Sequence, residues 1–90
     1  MQIQIRLLTD QQEDPEFFQG DQIAVREVNK RNGETVYGVY RPWDKKKHVL
    51  KEFPCLEYAN TWGYYIEVFC NGHMDSHYRK EATAFADKEA

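Results

Sequence analysis

Cysteine, proline, long apolar runs and surplus positive charge are all scarce in this chain of 90 residues, and each scarcity removes a class of protein. Two cysteines, Cys55 and Cys70, cannot build the multi-bridge framework on which small secreted domains depend. In a reducing compartment they read as two free, partly buried thiols, and a disulfide between them is open only to an exported chain. No stretch approaches the roughly 20 apolar residues of a membrane-spanning helix. The N-terminus also lacks the basic head and unbroken apolar stretch of a secretory signal. The expected location is therefore the cytoplasm, with no membrane among the partners. The glycines stand apart at 20, 33, 38, 63 and 72, and no phosphate-cradling loop pattern can be drawn through them. Net charge is −3, whereas general nucleic-acid binders draw most of their affinity from counterion release by surplus Lys and Arg.

What the chain does have is aromatic rings and segregated charge. Six Tyr, five Phe and two Trp exceed what the core of so small a domain needs, so several are expected at the surface or half-buried. Hydrophobic residues at 41% and charged residues at 30% are the proportions of a folded globular chain. With no linker, repeat or low-complexity run, residues 1–90 read as a single domain. The charged residues of 10–21 are all acids: Asp10, Glu13, Asp14, Glu16 and Asp21. Bases dominate residues 26–51, where Arg26, Lys30, Arg31, Arg41, Lys45, Lys46, Lys47 and Lys51 face only Glu27, Glu34 and Asp44. Residues 52–90 return to a net negative charge.

Read for periodicity, the chain is rich in strand signals. "MQIQIRLLTD" alternates Ile3, Ile5 and Leu7 with Gln2, Gln4 and Arg6, which predicts a half-buried strand. In "DPEFFQGD", Asp14 suits a cap, Pro15 a first helical position and Gly20 a stop, so one short helical turn is expected there. "QIAVREV" and "ETVYGVY" are β-branched and aromatic, and the Asn32-Gly33 pair between them favours a hairpin turn. Val28 is out of phase with Ile23 and Val25, which predicts a bulge or a longer loop. Pro42 ends the second of these strands. "KKHVLKEF" reads as a further strand stopped by Pro54, and "GYYIEVF" as another. "TAFADKEA" reads as a strand end, with Asp87 capping a helix that barely begins. The fold class that follows is mainly β, five or six antiparallel strands in a small sheet or open barrel, with α+β as the alternative.

The stretch "CNGHMDSH", residues 70–77, holds a cysteine and two histidines. Asn71-Gly72 is a second two-residue turn signal, and that register sets Cys70 opposite His73 and Phe69 opposite Met74. His73 and His77 then stand about 13 Å apart along one strand, too far for one zinc ion whose ligands lie roughly 2 Å away. No metal and no cofactor are expected. A Cys70-His73 dyad has the right residue types for thiol catalysis, with Asp75 as its only orienting candidate, and it lacks an oxyanion hole. A non-enzymatic protein is expected.

The informative cluster is "VYGVYRPWDKKKH", which brings Tyr37, Tyr40, Arg41, Trp43, Lys45, Lys46 and Lys47 within a dozen residues. Tyr, Trp and Arg anchor interfaces because they bury large areas while keeping a polar handle. These seven residues are the expected partner-binding site. The competing reading puts Tyr37 or Tyr40 in the core and leaves the lysines as a solvated loop. A second aromatic group, Tyr58, Trp62, Tyr64, Tyr65 and Phe69, is expected to supply much of the core. Across residues 20–40, "GDQIAVREV" followed by "VYGVY" resembles the first hairpin of small SH3-like barrels. That resemblance implies an open barrel that binds peptides, modified side chains or nucleic acid. The function expected is a module that binds another protein, of the inhibitor or accessory kind carried by phages and other mobile elements. Nucleic-acid binding by the aromatic and basic surface is the alternative.

Overall fold

The computed structural model describes residues 16–89. Within them the elements run β1 (Ala24–Asn29), β2 (Thr35–Tyr40), β3 (Lys51–Phe53), α1 (Leu56–Phe69) and α2 (Ser76–Glu89). The strands form one antiparallel sheet in the order β1-β2-β3, and the two helices form a hairpin on one of its faces. This α+β architecture replaces the expected mainly β domain of five or six strands, and no SH3-like barrel closes among the described residues. The strand expected at residues 1–10, with Asp14 and Pro15, lies outside the described residues. Of the "DPEFFQGD" stretch, the described part forms no helical turn: Gln19 makes an isolated bridge to Ala24.

The β1-β2 hairpin forms where the Asn-Gly signal put it, but in a different turn class. The Gly33 amide donates to the Lys30 carbonyl at 3.0 Å and the Lys30 amide to the Glu34 carbonyl at 2.8 Å. Of Asn32 and Gly33 only the glycine has a positive φ, 86°. A turn followed by one left-handed glycine is the three-residue hairpin loop rather than the two-residue one. Pairing then runs without interruption from Ala24↔Tyr40 to Asn29↔Thr35, so the expected bulge is absent. Val28 is out of phase because it serves the sheet's other face.

Both faces are covered, by different means. Successive residues of a strand point to opposite sides. Val25 and Val39, paired with each other, and Phe53, paired with Tyr37, face the helices. There they join Ile23, Ala59, Trp62, Ile66, Cys70, Ala82 and Ala86 in one buried cluster. Ala24, Val36 and Tyr40 are buried on the opposite face, under the 41–50 loop that links β2 to β3. Val49 lies so close over Gly38 that a Cβ there would stand 3.0 Å from its methyls.

Residues 56–69 are helical although they are rich in Tyr, Ile, Val and Phe. Ala59, Trp62, Gly63, Ile66 and Cys70 are the buried positions, and their steps of three and four residues make one stripe of a helix. Packing that stripe on Ile23 and Phe53 overrides the strand propensity of the intervening residues. In α2 the strong helix formers Arg79, Lys80, Glu81, Ala82 and Ala84 agree with the fold. Asp87 lies inside its last turn rather than capping a new helix.

Side-chain hydrogen bonds tie the helices to each other. Trp62 Nε1 donates to Thr83 Oγ1 at 3.0 Å, and the Tyr58 hydroxyl donates to the Asp87 carboxylate. That bond, then burial, then the carboxylate's charge hold the phenol proton on, pushing the Tyr58 pKa from 10.0 up to about 12. The folded state favours the neutral phenol. Its contribution is therefore complete below the unfolded value of 10.0 and is lost as pH rises through about 12. Tyr58→Phe is expected to lower Tm at neutral pH, and the gap to the parent should close as pH is raised through that window. A gap independent of pH, measured by circular dichroism melts, would show that the hydroxyl is not bonded to Asp87.

Candidate interaction surface

The seven residues of the aromatic and basic cluster do not share one surface. Tyr37 is half-buried on the helix-facing side of the sheet, its ring centroid 6.5 Å from that of Phe17. Tyr40 is buried on the other side, with Arg26 and Lys47 over its ring, each 5.7 Å from the centroid. Tyr37 is thus partly exposed and Tyr40 is not. Alternation along β2 explains the split, because an odd number of steps separates residues 37 and 40.

The loop that carries the remaining five is organised by Asp44. Its carboxylate accepts from the Lys46 amide at 3.1 Å and the His48 amide at 3.0 Å, and contacts His48 Nδ1 at 3.0 Å. The His48 amide foremost, with the Lys46 amide and the His48 ring, holds the Asp44 carboxyl below the usual range. Lys47 takes a positive φ of 52° to close this turn, and its carbonyl accepts from Arg26 Nη2 at 3.0 Å. "KKHVLKEF" therefore makes a strand only over Lys51–Phe53. Lys45, Lys46 and Lys47 stay in the solvated turn.

Arg41 and Trp43 turn the other way, toward the end of α1. Arg41 Nη1 donates to the Gly72 carbonyl at 2.6 Å and to the Gln22 carbonyl at 3.3 Å. Trp43 Nε1 donates to Gln22 Oε1 at 3.3 Å, and the Arg41 guanidinium lies 5.8 Å from the Trp43 ring centroid. Gln22 is itself held to the helix, since Glu67 Oε1 accepts from the Gln22 and Ile23 amides, both at 2.8 Å. Asn60, two turns earlier on the same face, accepts from the Phe18 amide at 2.9 Å and donates to the Glu16 carbonyl at 2.8 Å. One face of α1 thus fixes the whole 16–23 segment and, through Gln22, Trp43.

Beside that face lies the feature that sequence reading missed. Four large apolar side chains are exposed among the described residues: Trp43 at 64%, Phe69 at 59%, Val68 at 49% and Tyr64 at 43%. The last three are on the outer side of α1. Phe69 is the hub of an aromatic group, 5.0 Å from Tyr65, 6.1 Å from Phe85 and 6.2 Å from Tyr64 between centroids. Tyr64 in turn meets Phe18 edge-on at 6.1 Å. The signal available in the sequence was a second aromatic stripe beside the buried one, visible only if residues 56–69 are read at helical period.

The "CNGHMDSH" stretch is a turn between helices. Asn71 and Gly72 both have positive φ, 54° and 81°, and the His73 amide donates to the Cys70 carbonyl at 2.9 Å. These are the marks of the two-residue turn the Asn-Gly pair predicts, with helices where strands were expected. His77 belongs to α2, so the separation of the histidines along a strand does not apply. Both rings pack on Tyr78, with centroids 5.8 Å and 3.9 Å away. Among the described residues no three His, Cys, Asp or Glu side chains gather as a metal site would require. Cys55 and Cys70 are both free thiols. Burial, followed by the nearby Glu81 charge, pushes the Cys70 thiol up, the opposite of what activates a nucleophile. No helix among the described residues is long and apolar enough to cross a membrane.

The chain matches no known protein family, no curated protein and no solved structure. What the geometry defines is a class: a three-stranded antiparallel sheet carrying a helical hairpin whose outer side is aromatic.

Proposed function

We propose that this protein is a non-enzymatic module that binds another protein, as an inhibitor or accessory factor, through the outer side of α1 and the neighbouring Trp43. The observation that carries this reading is the exposure of Tyr64, Val68 and Phe69 along α1, with the rings of Tyr64 and Phe69 in contact, and of Trp43 on the loop bonded to Gln22. Exposed aromatics held on rigid elements are the usual composition of an interface centre. Phe69 is the expected anchor, because it leaves most of its ring to solvent while Tyr65 and Phe85 fix its position.

The test is binding to a partner recovered from host proteins and then purified. Phe69→Asp is expected to weaken that complex at least 100-fold, because a charge in a desolvated interface centre costs several kcal/mol. Its thermal melt should stay within a few degrees of the parent's. Binding to DNA or RNA that falls steeply with salt, and that disappears when Lys45, Lys46 and Lys47 are changed to Ala, would overturn the reading in favour of nucleic acid.

A further inference from the structure

The aromatic side of α1 continues into a groove whose lining has a definite chemistry. Segment 16–19 forms one wall of this open groove, which is lined also by Asn60, Thr61 and Tyr64 of α1 and by Phe85 and Glu89 of α2 and has a volume of about 680 Å³. That volume is within the range of clefts that hold peptide side chains and small ligands. Tyr64 and Phe85 belong both to the groove and to the exposed aromatic group. The wall at 16–19 is held in place by Asn60, whose two side-chain polar atoms are both used on the Glu16 carbonyl and the Phe18 amide. The groove's remaining character comes from the rings of Phe17, Phe18, Tyr64 and Phe85 and from two acids, Glu16 and Glu89. Among the described residues, no Lys, Arg or His lines it. Four of the bases, Arg41, Lys45, Lys46 and Lys47, lie elsewhere, in the β2-β3 loop.

We propose that this groove takes a short apolar and basic peptide segment of a partner protein, with an aliphatic or aromatic side chain among the four rings and a Lys or Arg flanking it against Glu16 and Glu89. The inference rests on the protein-binding reading above and specifies the partner's chemistry. Two carboxylates flanking an apolar cleft repel an acidic segment and attract a basic one, and ring faces further favour a cation. The apolar anchor supplies affinity, and the charges supply the choice of partner.

The test uses the full chain, labelled with nitrogen-15, and three synthetic decapeptides. The first carries Leu and Phe flanked by Lys and Arg; the second replaces those bases with Glu; the third keeps the bases and replaces Leu and Phe with Ser. The first peptide is expected to shift the amide resonances of Phe18, Thr61, Tyr64 and Phe85, and to bind at least tenfold tighter than either control. Glu16→Gln combined with Glu89→Gln should erase the preference over the acidic peptide, and raised salt should shrink it. Equal binding of the basic and acidic peptides at these residues would overturn the proposal while leaving the groove a binding site. Absence of any shift, or shifts that depend on protein concentration alone and so report a second copy, would also overturn it. The Phe69→Asp result decides the broader reading separately, because Phe69 is not among the groove's lining residues.

Discussion

Trp62→Ala is expected to lower Tm by roughly 15–30 °C, the largest effect of any single change considered. Trp62 is fully buried and lies between the sheet and both helices. Its ring centroid is 5.3 Å from that of Phe53 in β3, and its indole N–H is bonded to Thr83 in α2. Truncating a buried tryptophan costs about 3–5 kcal/mol in lost transfer energy and residual cavity. A domain of this size holds on the order of 5–10 kcal/mol in all, and each kcal/mol moves Tm by about 4–8 °C at this length. Trp62→Phe should cost less, since it keeps most of the apolar volume and leaves only the Thr83 hydroxyl without its donor. Calorimetry on the two variants checks this. A loss below about 5 °C for the alanine variant would mean that Trp62 does not join the three layers.

The second large effect separates two glycines that look alike in sequence. Each follows an asparagine, and each has a positive φ, 86° at Gly33 and 81° at Gly72. A β-branched residue in that region is strained by about 1–3 kcal/mol. Gly33→Val should cost no more than this, because a Cβ there meets nothing within 4 Å. At Gly72 the new Cβ would sit 2.5 Å from Gln22 Cβ and 2.9 Å from Gln22 Cγ. Those are the inner carbons of a side chain whose backbone is bonded to Glu67, so they cannot swing aside. The Gly72 carbonyl also holds Arg41, and its amide donates to the Ile66 carbonyl at 2.7 Å. Gly72→Val is therefore expected to cost about 3 kcal/mol or more, more than the loss at Gly33, read as urea midpoints. Equal midpoints would show that the Gln22 turn is not packed on the end of α1. The same substitution should also disturb Trp43, which is bonded to Gln22, and so weaken partner binding without touching the aromatic group itself.

These glycines show where local chemistry is sufficient. Asn-Gly pairs turn the chain because glycine, with no Cβ, takes positive φ freely and asparagine tolerates it, and that permission is independent of what flanks them. Both turns and the β1-β2 hairpin were legible for this reason, and Pro54 marked the end of β3 because proline has no amide to donate. The flanks were not. "GYYIEVF" has the residue types of a strand and the spacing of a helix, and composition favoured one while the burial of Ala59, Trp62, Gly63, Ile66 and Cys70 decided for the other. Val28 and Tyr40 pointed to a bulge and a binding edge only on the assumption that the sheet has one buried face. The 41–50 loop folds back over the second face and buries Tyr40, a long-range event that no short window contains.

By itself the sequence determined the turns, the segregation of charge, the absence of a membrane-length apolar run and the presence of more rings than a core requires. Tertiary structure decided which rings those are. Alternation within one strand sent Tyr37 and Tyr40 to opposite faces, and Arg41 was drawn to the Gly72 carbonyl, 31 residues away in sequence. Packing one stripe of α1 on the sheet left its neighbouring stripe, Tyr64, Val68 and Phe69, facing outward. The physical reason is that a helix this short has two kinds of apolar stripe in sequence and only one sheet to bury against. Which stripe is core and which is surface is set by the shape of the partner layer, and that layer is assembled from residues distant in the chain.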